Sequence, residues 1–404
     1  MSALTAWVAL QRALFAKPLA AHALLNRFGS PDAIFHGPRA ILAVTDPEWE
    51  AVDQLRKATD WAAVDNTITW CTDHQVRIIP LDAAEYPQLL RSCPDCPPIL
   101  FIAGQIEALS GSALVGVVGA RKASSYGRGI CEKIAGGLAA AGVAVVSGLA
   151  LGIDGVAHRA SLAADGRTVG VLGGGHDRFY PKEHRHLAEQ ICRNGAVITE
   201  FPPDARAHPS QFPQRNRIIS GLSMAVVVVE AAERSGSLIT ARLAAEQGRL
   251  VFAVPGPAGH LATRGTHGLL KQGAHIAESA EDVLQAIAPM VETADPGWSQ
   301  SGAWGGGAAH SRSECGGERG EAPPRVRRPP PSLSGATDIG HFTQRGEDAM
   351  GGGLWELLAE PQLLDVLMAR TGRAAPELLA WLTQMECAGR VRALPGNRYV
   401  KRGA

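Results

Sequence analysis

Between residues 76 and 277 the sequence alternates short, nearly continuous apolar runs with helix-length stretches, and that alternation leaves few folds open. The runs cover residues 76–80, 99–103, 113–118, 143–147, 168–172, 196–199, 224–229, 250–254 and 274–277. A strand that is apolar at every position is covered on both faces, and parallel neighbours need a crossover helix between them. Helical stretches at 127–141, 153–164, 182–194 and 238–247 supply such crossovers. The pattern predicts a doubly wound, mostly parallel α/β sheet over residues 74–290. Ligands of such sheets bind beyond the carboxyl ends of the strands. Those ends are where this chain places its glycines, serines and arginines.

The densest of these regions is QFPQRNRIISGLSMAVVVVEAAERSGSLIT, residues 211–240. Phe212, Arg215, Asn216 and Arg217 open a helix, and the strand that follows ends in Glu230. Ser235-Gly236-Ser237 then forms a small-residue turn and the N-cap of a second helix, whose free N–H groups receive an anion. Two arginines beside an exposed helix N-terminus make a phosphate site, with Glu230 and Glu233 the nearby acids that oppose it.

Three other strand ends carry related chemistry. VGVVGARKASSYG at residues 115–127 places Gly119 and Arg121 just past a strand, but its glycines lack the GxGxxG spacing. The next strand ends in Ser147-Gly148, where a ribose-binding enzyme needs an acid, so no dinucleotide cofactor is expected. In SGLALGIDGVAHRASL, Asp154 and His158 stand four apart on one helix face. They read as an acid–base pair, as metal ligands, or as a structural Asp–His hydrogen bond. With no source for a third ligand the structural reading is preferred, and no metal is expected. In TVGVLGGGHDRFYPKEHRHL, Gly173 and Gly174 let backbone N–H groups approach a phosphate or sugar. Lys271, near the end of a short helix, either reaches the same crevice or sits in solvent.

Composition limits the partners. The chain of 404 residues has 39 basic and 39 acidic side chains, so any nucleic-acid contact must come from local clustering of Arg and Lys. Seven cysteines, an odd number in a large chain, predict reduced thiols and not a disulfide framework. Cys93-Pro94-Asp95-Cys96 has no second pair and reads as a loop before a strand, not a metal or redox site. No apolar run is long enough to span a bilayer. The first fifteen residues lack a basic start and carry Gln11 and Arg12, so they read as the helix of a cytoplasmic protein, not a secretion signal.

The ends differ from the middle. Residues 1–73 show helical periodicity alone, with a Gly-Ser-Pro break in LLNRFGSPDAIF that echoes helix–hairpin–helix and SAM-like modules. Residues 291–350, rich in Gly, Pro and Ser, predict a flexible linker. Residues 351–404 regain helical pieces, followed by Val391-Arg392-Ala393, a Pro-Gly turn and Arg398-Tyr399-Val400, the layout of a winged helix. Its second helix would hold Ala375, Pro376, Glu377, Leu378 and Leu379, with no side chain to read a base. A protein-contact role is therefore favoured over direct readout of duplex DNA.

FPxRNRIISGLS followed by VVVEAxxxSGSLITA, together with SGxAxGID..AH, resembles the signature of the DprA/Smf family of bacterial DNA-processing proteins. Two positions depart from that family's pattern: His184 replaces Asn in YPxxNxxL, and Gly265-Thr266-His267 stands where GxN is usual. The resemblance implies a Rossmann-like domain that binds single-stranded DNA in a basic pocket and hydrolyses nothing. It further implies a homodimer that helps load RecA recombinase during natural transformation, with single-strand-binding protein as competitor or partner, and a C-terminal winged helix. Arg121, Arg215, Arg217 and Lys271 would supply the charge. The rival from another class is a nucleotide phosphoribohydrolase, which needs PGGxGTxxE; the runs LGGGHDRFYP and VPGPAGHLATRG lack its Thr and Glu. A third reading is a regulator that holds duplex DNA through the winged helix.

Overall fold

A computed structural model of the chain describes residues 3–15, 17–37, 47–109 and 113–294, and near the C-terminus 356–360, 362–371, 378, 382, 391–394 and 398–401. The chain divides into two compact units, Met1–Ser311 and Arg312–Ala404.

The first unit begins with helices α1 (Ala3–Ala13), α2 (Pro18–Phe28), α3 (Pro31–His36), α4 (Pro47–Ala58) and α5 (Trp61–Asp73). The Gly-Ser-Pro break is a pair of caps. Gly29 ends α2 in the left-handed conformation (φ 79°), and the Ser30 hydroxyl accepts from the Ala33 N–H at 3.2 Å to start α3. These helices pack directly on the sheet: Trp7, Leu10, Ile34 and Val64 share a core with Ile99 and Phe101. Polar contacts tie α1 further. The Gln11 amide donates to the Glu200 carbonyl at 2.6 Å, Arg12 pairs with Asp204 at 2.8 Å, and the Phe15 and Phe201 rings lie 5.4 Å apart.

The sheet has nine strands: β1 (Arg77–Pro80), β2 (Ile99–Gly104), β3 (Leu114–Val118), β4 (Ala144–Ser147), β5 (Thr168–Val171), β6 (Ala196–Thr199), β7 (Ala225–Val228), β8 (Leu250–Ala253) and β9 (His275–Ile276). Their order is β1-β2-β6-β5-β4-β3-β7-β8-β9, parallel from β6 through β9, with β1–β2 and β2–β6 antiparallel. The chain steps outward from β3 to β6 and then returns to the other side of β3 with β7, which pairs Val115 with Ala225 and Val118 with Val228. The order therefore reverses between β3 and β7, and the crossovers diverge there to leave a crevice.

The double-sided burial follows from the sequence. Every residue of β3 through β7 is buried. Leu114, Val118, Val226 and Val228 face one layer, which holds α6 (Gln88–Arg91), α10 (Gln211–Leu222) and α11 (Gly236–Glu246). Val115, Val117, Val145 and Val227 face the other, which holds α7 (Ser125–Ala140), α8 (Ile153–Ala163) and α13 (Ala280–Ala294). Helices α9 (Arg185–Asn194) and α12 (Arg264–Lys271) complete the set around the sheet. Cys93 and Cys96 are buried beside Leu90 and Leu222, and burial pushes the Cys96 thiol up to about 11, so the pair behaves as core.

In the second unit, β10 (Gln362–Leu363), β11 (Val391–Leu394) and β12 (Arg398–Lys401) form an antiparallel sheet in the order β10-β12-β11. A helix Leu364–Thr371 stands beside it, over a core of Leu358, Leu367, Leu378, Leu382 and Val391. Most of the expected linker, and Ala375, Pro376, Glu377 and Leu379 of the expected second helix, lie outside the described residues. Among the described residues no helix is long and apolar enough to cross a membrane, and no group of three or more His, Cys, Asp or Glu could hold a metal ion.

Candidate functional site

At the point where the strand order reverses, a crevice of about 500 Å³ opens beyond the ends of β3, β4 and β7. Its walls are the β3 loop with Gly119 and Arg121, the start of α8 with Asp154, the first turns of α10, and Ser235, Gly236 and Ser237 at the start of α11.

Helix α10 is aimed by its own periodicity. Ile218, Ile219 and Leu222 are core residues, and Arg215, three and four positions before the first two, shares their inward face. Arg215 is consequently only 4% exposed. Its Nη1 donates to the Gly148 carbonyl at 2.5 Å and to the Val171 carbonyl, and its Nε donates to Asn216 Oδ1 at 3.2 Å. A Cβ on Gly148 would lie 2.6 Å from Arg215 Nη2 and 2.6 Å from Asp154 Oδ2, so the close approach of these two side chains requires glycine there. Burial pulls the Arg215 guanidinium down to about 10, opposed by Asp154. Burial pushes the Asp154 carboxyl up, opposed first by Arg215 and then by the N–H groups of Ala150 and Gly148. Arg215 and Asp154 thus neutralise each other in the wall.

Arg121 is different. It is exposed, and among the described residues no ion pair holds its guanidinium; it lies 5.2 Å from the centroid of the Phe212 ring. That ring rests against Gly173, where a Cβ would come within 2.7 Å of it, and lies 5.9 Å from the Tyr180 ring. Opposite, Ser235 caps α11: its hydroxyl accepts from the Ser237 N–H at 3.4 Å and contacts the Ser237 hydroxyl at 2.7 Å. The positive end of the helix dipole therefore opens into the crevice. The two acids that stood against an anion are engaged elsewhere. Glu230 is buried and accepts from the Ser124 N–H at 2.9 Å, and Glu233 lies 3.8 Å from Arg264.

Of the residues placed at a binding site from the sequence, Gly119, Arg121, Phe212, Arg215, Asn216, Ser235, Gly236 and Ser237 line this crevice. The others do not. Ser147 is fully buried and donates to the Val117 carbonyl at 2.6 Å, while Gly148 lies beneath Arg215. Gly173 seats the Phe212 ring, and a Cβ on Gly174 would lie 3.1 Å from Ala207. This glycine run admits the chain's own segment 202–207 where the sequence led us to expect a ligand; the Gly175 N–H donates to the Ala205 carbonyl at 2.9 Å. Arg217 leaves the crevice altogether, for its Nη2 meets Glu200 Oε2 at 2.6 Å and its Nε lies 3.6 Å from Asp95. Lys271 is exposed at the end of α12 and is not part of the crevice wall.

The expected Asp154–His158 hydrogen bond is replaced by two separate contacts. Asp154 faces Arg215, and His158 Nδ1 lies 2.8 Å from the Thr168 hydroxyl. Burial pushes His158 down to about 3, so it is neutral. The two histidines that depart from the family pattern still hold backbone. His184 Nδ1 donates to the Leu149 carbonyl at 2.9 Å, and His267 Nε2 lies 3.0 Å from the Gly256 carbonyl. Sequence reasoning passed over Tyr180 and gave Asp154 no place in the crevice, though both line it. The signal for Tyr180 was its place between Phe179 and Pro181, two residues that would anchor it. A larger groove of about 940 Å³ lies between α11 and α12, away from the strand reversal, and its Arg242 and Arg264 are paired with Glu246 and Glu233.

Comparison with known proteins gives matches over both units. The family model described as DNA recombination-mediator protein A matches residues 77–288, and that of the DprA winged helix domain matches residues 353–397. Protein Smf of Escherichia coli (strain K12) is 37% identical over 348 residues, covering 84% of this chain and 81% of that protein. DNA processing protein DprA of Bacillus subtilis (strain 168) is 42% identical over 212 residues, covering 52% of this chain and 71% of that protein. The X-ray structure of DNA processing protein A from Streptococcus pneumoniae matches with a TM-score of 0.55 at 36% identity, covering 61% of this chain and 84% of that one.

Proposed function

We propose that this chain, which belongs to the DprA/Smf family, acts in DNA processing by binding single-stranded DNA in the crevice between β3 and β7. The observation that carries this reading is an imbalance of charge. Each acid at the crevice is neutralised or turned away, whereas Arg121 and the start of α11 stay open to an anion. Such a site grips the sugar–phosphate backbone, a contact that positions a strand without reading its bases.

The finer reading is that the protein works in the cytoplasm as a homodimer. It would hold incoming strands during natural transformation and help load RecA recombinase, with single-strand-binding protein as competitor or partner. The description of the matching family as a recombination mediator, and the names of the relatives as DNA-processing proteins, support it. A binding role without turnover is favoured over hydrolysis because the crevice acid, Asp154, is buried against Arg215 and is not free to serve as a general base. The sheet domain, residues 74–290, would carry the strand, and the winged helix at 351–404 would contact protein.

Competition between a labelled single strand and a blunt duplex across a salt titration tests this. The single strand should win, with little preference among sequences and with affinity falling as salt rises. Equal or tighter binding to duplex would sink the proposal, and release of free base from nucleoside monophosphates would replace it with an enzyme.

A further inference from the structure

Tyr180 is half-exposed at 51%, yet both of its chain neighbours, Phe179 and Pro181, are buried. Phe179 belongs to a core cluster with Leu149, Leu172 and Leu187. The backbone on either side of Tyr180 is thus fixed by packing while the ring is presented to solvent at the crevice. Its hydroxyl has no hydrogen-bond partner among the described residues. A large aromatic ring held out of the core, with its backbone pinned, loses little freedom when a ligand covers it.

The neighbouring ring decides how such a ligand sits. Tyr180 and Phe212 lie 5.9 Å apart at an interplanar angle of 49°. Inserting a flat base between two rings needs two van der Waals spacings of about 3.5 Å each and near-parallel planes. No slot exists between them. Phe212 is moreover occupied by Gly173 and by the Arg121 guanidinium. The outward face of Tyr180 is the aromatic surface that remains.

We propose that Tyr180 is a base-stacking residue: a nucleobase of a strand whose phosphate is held at Arg121 lies flat on the outward face of Tyr180, with Phe212 backing the ring from within. This rests on the reading of the crevice as a single-strand site and adds a base contact to a backbone grip. The stacking is tolerant of base identity, because every base has a π face.

The test uses the full chain, an oligothymidylate of about twenty nucleotides and an abasic strand of the same length. The variants are Tyr180→Phe, which keeps the ring, and Tyr180→Leu, which keeps apolar bulk but removes the π face. Tyr180→Leu should weaken oligothymidylate binding roughly tenfold with an unchanged salt slope, the loss expected for one stacked base. It should leave binding to the abasic strand unaltered, and Tyr180→Phe should match the wild type on both. Unchanged oligothymidylate affinity in Tyr180→Leu overturns the stacking role, and so does an equal loss on both strands, which would make Tyr180 a support of the backbone site. A wild-type protein that binds neither strand removes the single-strand reading itself, an outcome distinct from either.

Discussion

Arg215 and Arg217 stand two residues apart on the same helix and are almost equally buried, at 4% and 6% exposed, yet they belong to different regions. Arg215 forms part of the crevice wall, its guanidinium sharing two backbone carbonyls and facing Asp154. Arg217, turned to another side of α10, is locked to Glu200 and Asp95 where the chain leaves β6. The exposed cation of the crevice, Arg121, lies on the β3 loop and not on this helix. Burial therefore does not separate an arginine of the crevice wall from one that leaves it. What separates them is the side of the helix: Arg215 meets Gly148, Val171 and Asp154 in the crevice wall, and Arg217 meets Glu200 and Asp95 away from it.

Replacing Arg217 should have the largest effect. Arg217→Ala leaves Glu200 buried without its counter-charge, and breaking such a pair costs about 3–5 kcal/mol, readable as a lower denaturation midpoint in urea. Replacing both partners together with apolar residues, Arg217→Met with Glu200→Leu, should recover most of that loss. A folded Arg217→Ala protein of normal stability but weakened DNA binding would erase the distinction between the two arginines.

Acid should act on the crevice side. His158, fully buried behind the wall, has its ionisation pushed down to about 3 from an ordinary value near 6.5. Its unfolded form takes up a proton below about pH 6.5 and its folded form does not. The stability it contributes is thus complete above that pH and is lost as pH falls, by about 1.4 kcal/mol per unit. Urea unfolding at pH 7, 6 and 5 should show this slope in the wild type and a shallower one in His158→Asn. Identical slopes would mean that another group sets the acid sensitivity.

The smallest effect is the most local. Arg121→Ala should leave stability within about 0.5 kcal/mol, as for an exposed side chain. It should lower the salt slope of single-strand binding by roughly 0.7, the contribution of one phosphate contact. A variant that binds with unchanged affinity and slope would move the anion site away from the β3 loop.

Much of this architecture was legible in the sequence, because a strand that is apolar at every position can only be buried on both faces. The parallel strands from β3 to β7 follow from that, and so does the crevice at their ends. The antiparallel pairing of β1, β2 and β6 was not legible, since nothing local to residues 99–104 announces a partner at 196–199. The two arginines show the same limit. The periodicity of Ile218, Ile219 and Leu222 could have placed Arg215 inward, but the fate of Arg217 depended on Glu200, a tertiary neighbour with no sequence signal. The glycine run at 173–175 looked open to a ligand for the same reason: Phe212 and the segment 202–207 fill it.

The ties from the first helix to the connection after β6 bear on how the chain is made. Gln11 meets the Glu200 carbonyl across 189 positions, and Arg12 meets Asp204 across 192. At roughly 5–20 residues per second, a ribosome takes about ten to forty seconds to go from one partner to the other. The apolar face of the first helix finds cover earlier, once Ile99 and Phe101 have emerged. Arg12 also meets the Thr67 hydroxyl early, at 2.8 Å, but the contacts with Glu200 and Asp204 must wait for the segment that leads into Arg215. The connection into α10 is thus braced by a segment of chain made long before it, and these two contacts of α1 form only after β6 has been made.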